Sequence, residues 1–275
     1  MAGTEGSPFT ASAPALATKQ LLNEWPYLVF LSFAKSGATI SSGVGRSQLL
    51  NQLVEAKLAV GTHRIDALIM SIGGNDIGFA DNLRMFGLIT GFSSFVQTGI
   101  QRKIDALDQK LYPLINQKIS EFNLNIGTIL IMEYPGSLFN DRNDQPAGGC
   151  GVFDFDNSAS IGPALSILSI DAAEAKVIDT LVHKLNKVIA NAASREGWHL
   201  IDGIDEEFVG HGYCSGQSWF VFAENSCLDQ GDFDGTMHPN AVGTEHIAKV
   251  VASELRTVLP KPPTVSRQPA VKTNQ

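Results

Sequence analysis

The stretch Ser71-Ile-Gly-Gly-Asn-Asp-Ile-Gly-Phe-Ala-Asp-Asn82 directly follows the apolar run Ile65-Asp-Ala-Leu-Ile-Met70, and the junction between them decides the fold. A short apolar run bounded by glycines reads as a buried strand. A strand that ends in Gly73-Gly74-Asn75-Asp76 delivers polar side chains at the carboxyl edge of a sheet, where open α/β folds place their active sites. Asn75 is therefore a candidate donor to charge that develops in a transition state. Far down the chain, Asp234-Gly-Thr-Met-His-Pro-Asn240 runs straight into a helical pattern, so His238 falls on the loop just before a helix. Neutral imidazole is the side chain best poised to take a proton near neutral pH. The two stretches together suggest a hydrolytic site.

Outward from that junction, the pattern alternates strands and helices. Ala11 to Asn23 reads as a short helix with Pro14 near its start, and Tyr27-Leu-Val-Phe-Leu-Ser-Phe-Ala34 as a buried strand ending at the small-residue turn Lys35-Ser-Gly-Ala-Thr39. Leu49, Leu50, Leu53, Val54 and Leu58 recur at helical spacing before the strand Ala67 to Ile72, which makes a β-α-β unit. The apolar stretch from Phe79 to Ser94 has no clean period and reads as a packed connector or a pocket wall. A long helix from about Val96 to Glu121 turns Ile100, Ile104, Leu107, Leu111 and Leu114 inward, and the strand Ile126 to Tyr134 is stopped by Pro135-Gly136.

Residues 136 to 165, rich in Gly, Asp and Asn, form a long excursion expected to border the pocket. Ile178, Leu181, Val182, Leu185, Val188, Ile189 and Ala192 give the clearest helical stripe. Trp198-His-Leu-Ile-Asp202 reads as a last strand and Ala241 to Val258 as a last helix. Strands alternating with helices imply a mainly parallel sheet covered on both faces. One domain is expected over residues 1–258, followed by a disordered Pro/Lys-rich tail over 259–275.

Composition narrows the function. The chain has 275 residues, 44% of them hydrophobic and 17% charged, which suits a globular protein with a sizeable core. A formal charge of -8 without a dense basic run argues against a nucleic-acid surface. No run of 18 apolar residues offers a membrane span. The first 25 residues lack a basic start followed by an apolar stretch, so they do not read as a secretory signal. The three cysteines, Cys150, Cys214 and Cys227, leave an odd count: a Cys214–Cys227 bridge closing a small loop is one reading and free buried thiols the other. No Cys-x-x-Cys or adjacent histidine points to a metal.

Ester hydrolysis needs a nucleophile, a base for its proton, and donors aimed at the oxygen that turns negative. His238 supplies a base. Asn75 and the backbone N–H of Gly37, each following an apolar strand, supply donors, and Gly37 has no side chain to keep a substrate from its amide. Each also has a plain reading: His238 as a histidine packed against the last helix, Asn75 as a turn residue, Gly37 as a tight-turn glycine.

These residues resemble the SGNH (GDSL-like) esterases and lipases, in particular a bacterial lipase-like branch, from about Ser12 to Val258. Phe33-Ala-Lys-Ser-Gly-Ala-Thr39 is similar to the family's second block, with Gly37 as oxyanion glycine. Ile72-Gly-Gly-Asn-Asp-Ile-Gly-Phe79 is similar to the third, with Asn75 as oxyanion side chain, and Gly235-Thr-Met-His-Pro-Asn240 to the fifth, with His238 as base. The resemblance implies a three-layer α/β/α flavodoxin-like sheet, serine-dependent hydrolysis of a small-molecule ester or acylated substrate, no cofactor or metal, and secretion.

Two departures stand out. The family's first block, a Gly-Asp-Ser after the first strand, has no counterpart in this chain. With the sheet order 2-1-3-4-5 the strand carrying it would lie between those ending at Ala34 and Ile72, so the sequence reads as amino-terminally truncated. Ser7, Ser12, Ser36 and Ser41 do not sit at a strand-to-helix turn and are poor stand-ins. The family also places an Asp three residues before the histidine, where this chain has Gly235. Asp234, four before, is the candidate acid, and a main-chain carbonyl is the other way to hold the imidazole. Rival readings are an SGNH-fold binding domain without chemistry and, more remotely, a metal hydrolase using Asp234 and His238.

Overall fold

The computed structural model describes residues 12–40, 48–79, 94–139, 150–151, 169–170, 172–231 and 235–261. Its centre is a parallel sheet of three strands, β1 (Ile65–Met70), β2 (Ile126–Met132) and, further along the chain, the short strand His199–Ile201, in that spatial order. Ile65 lies opposite Ile126 and Met70 opposite Ile131, while Leu130 lies opposite His199. The middle strand, β2, is flanked on both sides. Its Leu130 and Ile131 are fully buried, as expected of a near-continuous apolar strand in a parallel sheet. Cys150–Gly151 (β3) and Ser169–Ile170 (β4) form a separate antiparallel pair, so His199–Ile201 is β5.

Helices cover the sheet in two groups, as an α/β/α stack requires. In chain order they are α1 (Ala13–Leu21), α2 (Leu49–Val60), α3 (Ser94–Ala106), α4 (Tyr112–Glu121), α5 (Ala172–Glu196), α6 (Ile204–Glu207), α7 (Ala223–Gln230) and α8 (Ala241–Val258). α3 and α4 both pack on α5, α2 touches α4, and α5 lies against β2 and β5. α8 packs on β5, α1 and α6 instead. Trp25 Nε1 donates to the Pro260 carbonyl at 2.7 Å, and Arg256 pairs with Glu24, which pins the end of α1 to the end of α8. α8 starts where the sequence calls for it. Pro239 cannot continue a strand ladder, and the Asn240 side chain caps the helix by accepting from the Gly243 amide at 3.0 Å.

Three expectations need correction. Residues 28–35 form no strand, and Tyr27 and Val29 are 89% and 78% exposed. The physical reason is that a buried strand needs a neighbour to bond and cover it, and this run has no ladder partner among the described residues. The helix of residues 94–121 is interrupted by a π-helical turn, Leu107–Leu111. The wider turn rotates the inward face, so Tyr112, Ile115 and Ile119 are buried and Leu114 is turned out. Finally, Cys214 is disulfide-bonded while Cys227 is free, so these two are not each other's partner. Cys227 lies within α7, half-buried and with its thiol free.

The stretch 80–93, most of the excursion over 140–168, and the tail from 262 onward lie outside the described residues. Among the described residues no helix is long and apolar enough to cross a membrane.

Candidate active site

Parallel strands share one carboxyl edge, and the turn that carries Asn75 leaves β1 there. After β1 the chain enters the turn 73–78, where the Ile77 amide bonds the Gly73 carbonyl and the Gly78 amide the Asn75 carbonyl. Gly73 has φ +120°, and a Cβ there would stand 2.6 Å from the Tyr112 hydroxyl, so only glycine fits. Tyr112 Oη donates to the Ile72 carbonyl at 3.1 Å, and Tyr134 Oη accepts from the Gly74 amide at 3.1 Å. Burial pushes both phenols above their ordinary range, which keeps them protonated.

The 36–40 loop is tied to this turn at two points. Asn75 Nδ2 donates to the Ala38 carbonyl at 3.0 Å, and the Ile40 amide donates to Asp76 at 2.9 Å. Gly37, at the exposed tip, has φ +71° and open space where a Cβ would stand, so its requirement is conformational rather than steric. Asn75 is exposed and its amide has two hydrogens, one of them directed to Ala38. Two sequence-predicted donors are thereby brought to one place. Asp76, the clamp between the loops, was not singled out in the sequence, although its position next to Asn75 in a Gly-Gly-Asn-Asp run was the available signal.

His238 reaches the same edge by a different route. His199, at the start of β5, pairs with Glu254 near the end of α8, whereas Glu207, just after β5, pairs with His246 near the beginning of α8. α8 therefore runs antiparallel to β5, and the turn before it lies beyond the carboxyl end of the sheet. The turn is well anchored: the Val221 amide bonds the His238 carbonyl at 2.8 Å, the Met237 amide bonds the Val221 carbonyl at 3.0 Å, and the Gly235 amide bonds the buried Ser226 hydroxyl at 3.0 Å. Met237 has φ +62°, a conformation that costs a non-glycine residue on the order of 1–3 kcal/mol and persists where the surroundings impose it. The His238 side chain is exposed, and no hydrogen bond among the described residues joins it to Asn75 or to the 36–40 loop. Asp234 lies outside the described residues.

Behind the loop that leaves β2, a polar cluster holds residues 133–139 in place. Asp205 Oδ1 accepts from the Gly136 amide at 2.8 Å and from the Ser137 hydroxyl at 3.1 Å, and its other oxygen pairs with His183 at 3.0 Å. Asp179, 6% exposed, accepts from the Phe139 amide at 3.2 Å, while its second oxygen has no hydrogen-bond partner among the described residues. Burial is the main reason its carboxyl is pushed up to about 7, with the Phe139 and Leu138 amides and His183 pulling the other way. Sequence reading missed this group, since Asp179 adjoins the apolar stripe of α5 and looks like a surface acid. Among the described residues no set of three His, Cys, Asp or Glu side chains could hold a metal ion.

The Asp179 shift sets an expected pH dependence. The folded state binds the proton more tightly than the unfolded chain, whose carboxyl titrates near about 3.9, so the group's contribution to stability falls as pH rises from about 4 through about 7. Asp179→Asn should therefore stabilise the protein on the order of 2–4 kcal/mol more at pH 8 than at pH 4. Urea titrations of both proteins at the two pH values measure this difference, and an equal effect at both would contradict it.

No family model matches the chain, and no match was found among curated proteins. Solved structures do match. The extracellular lipase from Streptomyces rimosus superposes with a TM-score of 0.53 at 18% identity, over 92% of this chain and 89% of the lipase. Phospholipase A1 from Streptomyces albidoflavus NA297 gives a TM-score of 0.47 at 22% identity, over 68% of this chain and 69% of that one. The first likeness establishes the fold: the chain shares the architecture of the Streptomyces rimosus lipase over nearly its whole length. That agrees with the α/β/α expectation.

Proposed function

We propose that this chain is built for hydrolysis of carboxylic esters by acyl transfer through a serine. The observation that carries the reading is the joining of the 36–40 loop to the 73–78 turn, which places the exposed Gly37 amide and the Asn75 side chain beside each other at the carboxyl edge of the sheet. Fixed amide donors of this kind stabilise the oxyanion of a tetrahedral intermediate. In this reading a serine attacks the ester carbonyl, His238 takes its proton and returns it to the leaving alcohol, and Gly37 and Asn75 hold the oxyanion. Asp234, or a main-chain carbonyl, holds the imidazole in the right tautomer. The fold shared with an extracellular lipase favours an acylated small molecule as substrate. The disulfide at Cys214 favours an oxidising compartment, hence secretion.

The serine belongs on a strand that would seat against β1. Among the described residues β1 bonds β2 on one side only, and although it is almost wholly apolar its residues 65–69 are not fully buried. The apolar run 28–34 likewise has no ladder partner among the described residues. One further parallel strand between them would satisfy both, and a Gly-Asp-Ser at its end would face the donors. The chain should be expressed as given and with about 30 to 60 residues of upstream reading frame, enough for a strand, its loop and a signal. Hydrolysis of a short acyl ester that a phosphonate abolishes should appear only in the longer form. Phosphonate labelling of the 275 residues alone would mean an internal nucleophile, and a longer form that binds acylated ligands without turnover would mean a binding domain.

A further inference from the structure

Gly73 and Gly74 make the turn that carries Asn75 soft, because two consecutive residues without Cβ leave the backbone many conformations to choose from. An oxyanion donor must nevertheless sit within a few tenths of an ångström of its place. What fixes this turn comes from outside it. Tyr112, at the start of α4, holds the Ile72 carbonyl, and Tyr134, two residues past β2, receives the Gly74 amide. A Cβ on Gly74 would stand 3.1 Å from the Tyr134 hydroxyl, so the contact is close as well as polar.

Tyr134 is itself held on both sides of its backbone. Its amide donates to Asn186 Oδ1 at 2.9 Å, and Asn186 Nδ2 donates back to its carbonyl at 2.7 Å. Immediately beyond, Gly136 and Ser137 are bonded to Asp205. A rigid support on α5 and α6 thus ends in one hydroxyl placed on the residue before Asn75.

We infer that Tyr134 is a positioning residue for Asn75: by holding the Gly74 amide it aims the Asn75 side chain at the reacting oxygen. The inference rests on the reading of Asn75 as an oxyanion donor. Tyr134→Phe removes the hydroxyl and leaves the ring. In the chain of 275 residues, NMR should show the Gly74 amide exchanging with solvent at least about tenfold faster and the Asn75 side-chain amide resonances displaced, with Leu130 and Ile131 in β2 unchanged. Unchanged Gly74 and Asn75 signals, or acceleration shared by Leu130 and Ile131, would overturn the inference. In the form that hydrolyses an ester, Tyr134→Phe should lower kcat about tenfold with KM within twofold, and should cost nothing further in an Asn75→Ala background. A large loss for Asn75→Ala with none for Tyr134→Phe overturns this inference alone, whereas no loss for Asn75→Ala overturns the reading beneath it.

Discussion

Replacing His238 by alanine is expected to remove nearly all ester hydrolysis, on the order of 10^4-fold or more in kcat, in a form of the protein that hydrolyses an ester. The loss follows from the role proposed for it: without the imidazole the serine proton would have no acceptor and the leaving alkoxide no donor. The fold should tolerate the change, because His238 is exposed and its turn is anchored by the backbone of residues 220–221 and by Ser226 rather than by the ring. Matching thermal unfolding of the two proteins alongside the rate assay checks that distinction. Asp234→Asn then separates the two ways of holding the imidazole. A loss approaching that of His238→Ala assigns the acid to this side chain, and near-normal turnover assigns the role to a main-chain acceptor.

Asn75→Ala has the next largest expected effect, a fall in kcat of roughly 10^2 to 10^3. Oxyanion donors act on charge present in the transition state and not in the substrate, so KM should change little. The Ala38 carbonyl loses one exposed hydrogen bond, while the Ile40–Asp76 clamp stays, so the 36–40 loop keeps a tether. Steady-state kinetics on a short acyl ester provide the measurement, and a drop of less than threefold would remove Asn75 from the mechanism.

Elements whose determinants are local were legible in the sequence. The residues Pro239-Asn240 announce α8, whose bounds are those expected, because the cap and its amide partner are three residues apart. β2 was legible because a strand covered on both faces has to be apolar throughout. The run 27–34 has the same composition and misleads, since composition reports what a segment would bury and not whether a neighbour is present to bury it. The π turn at Leu107–Leu111 carries no sequence mark of its own, and its single extra residue displaced the inward face of everything after it.

At the site, the residues singled out from sequence are those proposed to touch substrate: Asn75 just after β1, Gly37 in the 36–40 loop and His238 in the turn before α8. Those missed, Asp76, Tyr112, Tyr134 and Asp179, act on backbone atoms brought near by the fold, as with Tyr134 and Gly74, 60 residues apart. A tyrosine leaving a strand just ahead of Pro135-Gly136 was the faint signal for one of them.

The bond from Trp25 to the carbonyl of Pro260 spans 235 residues. During synthesis at about 5–20 residues per second, α1 would leave the ribosome roughly 10–50 s before the helix it rests on exists. In that interval Ala17 and Leu21, fully buried in the finished protein, lack the helix on which α1 chiefly packs. Packing of α1 is then a late event that waits for the synthesis of α8, and a nascent chain stalled anywhere before residue 241 would present the apolar side of its first helix to whatever binds such segments.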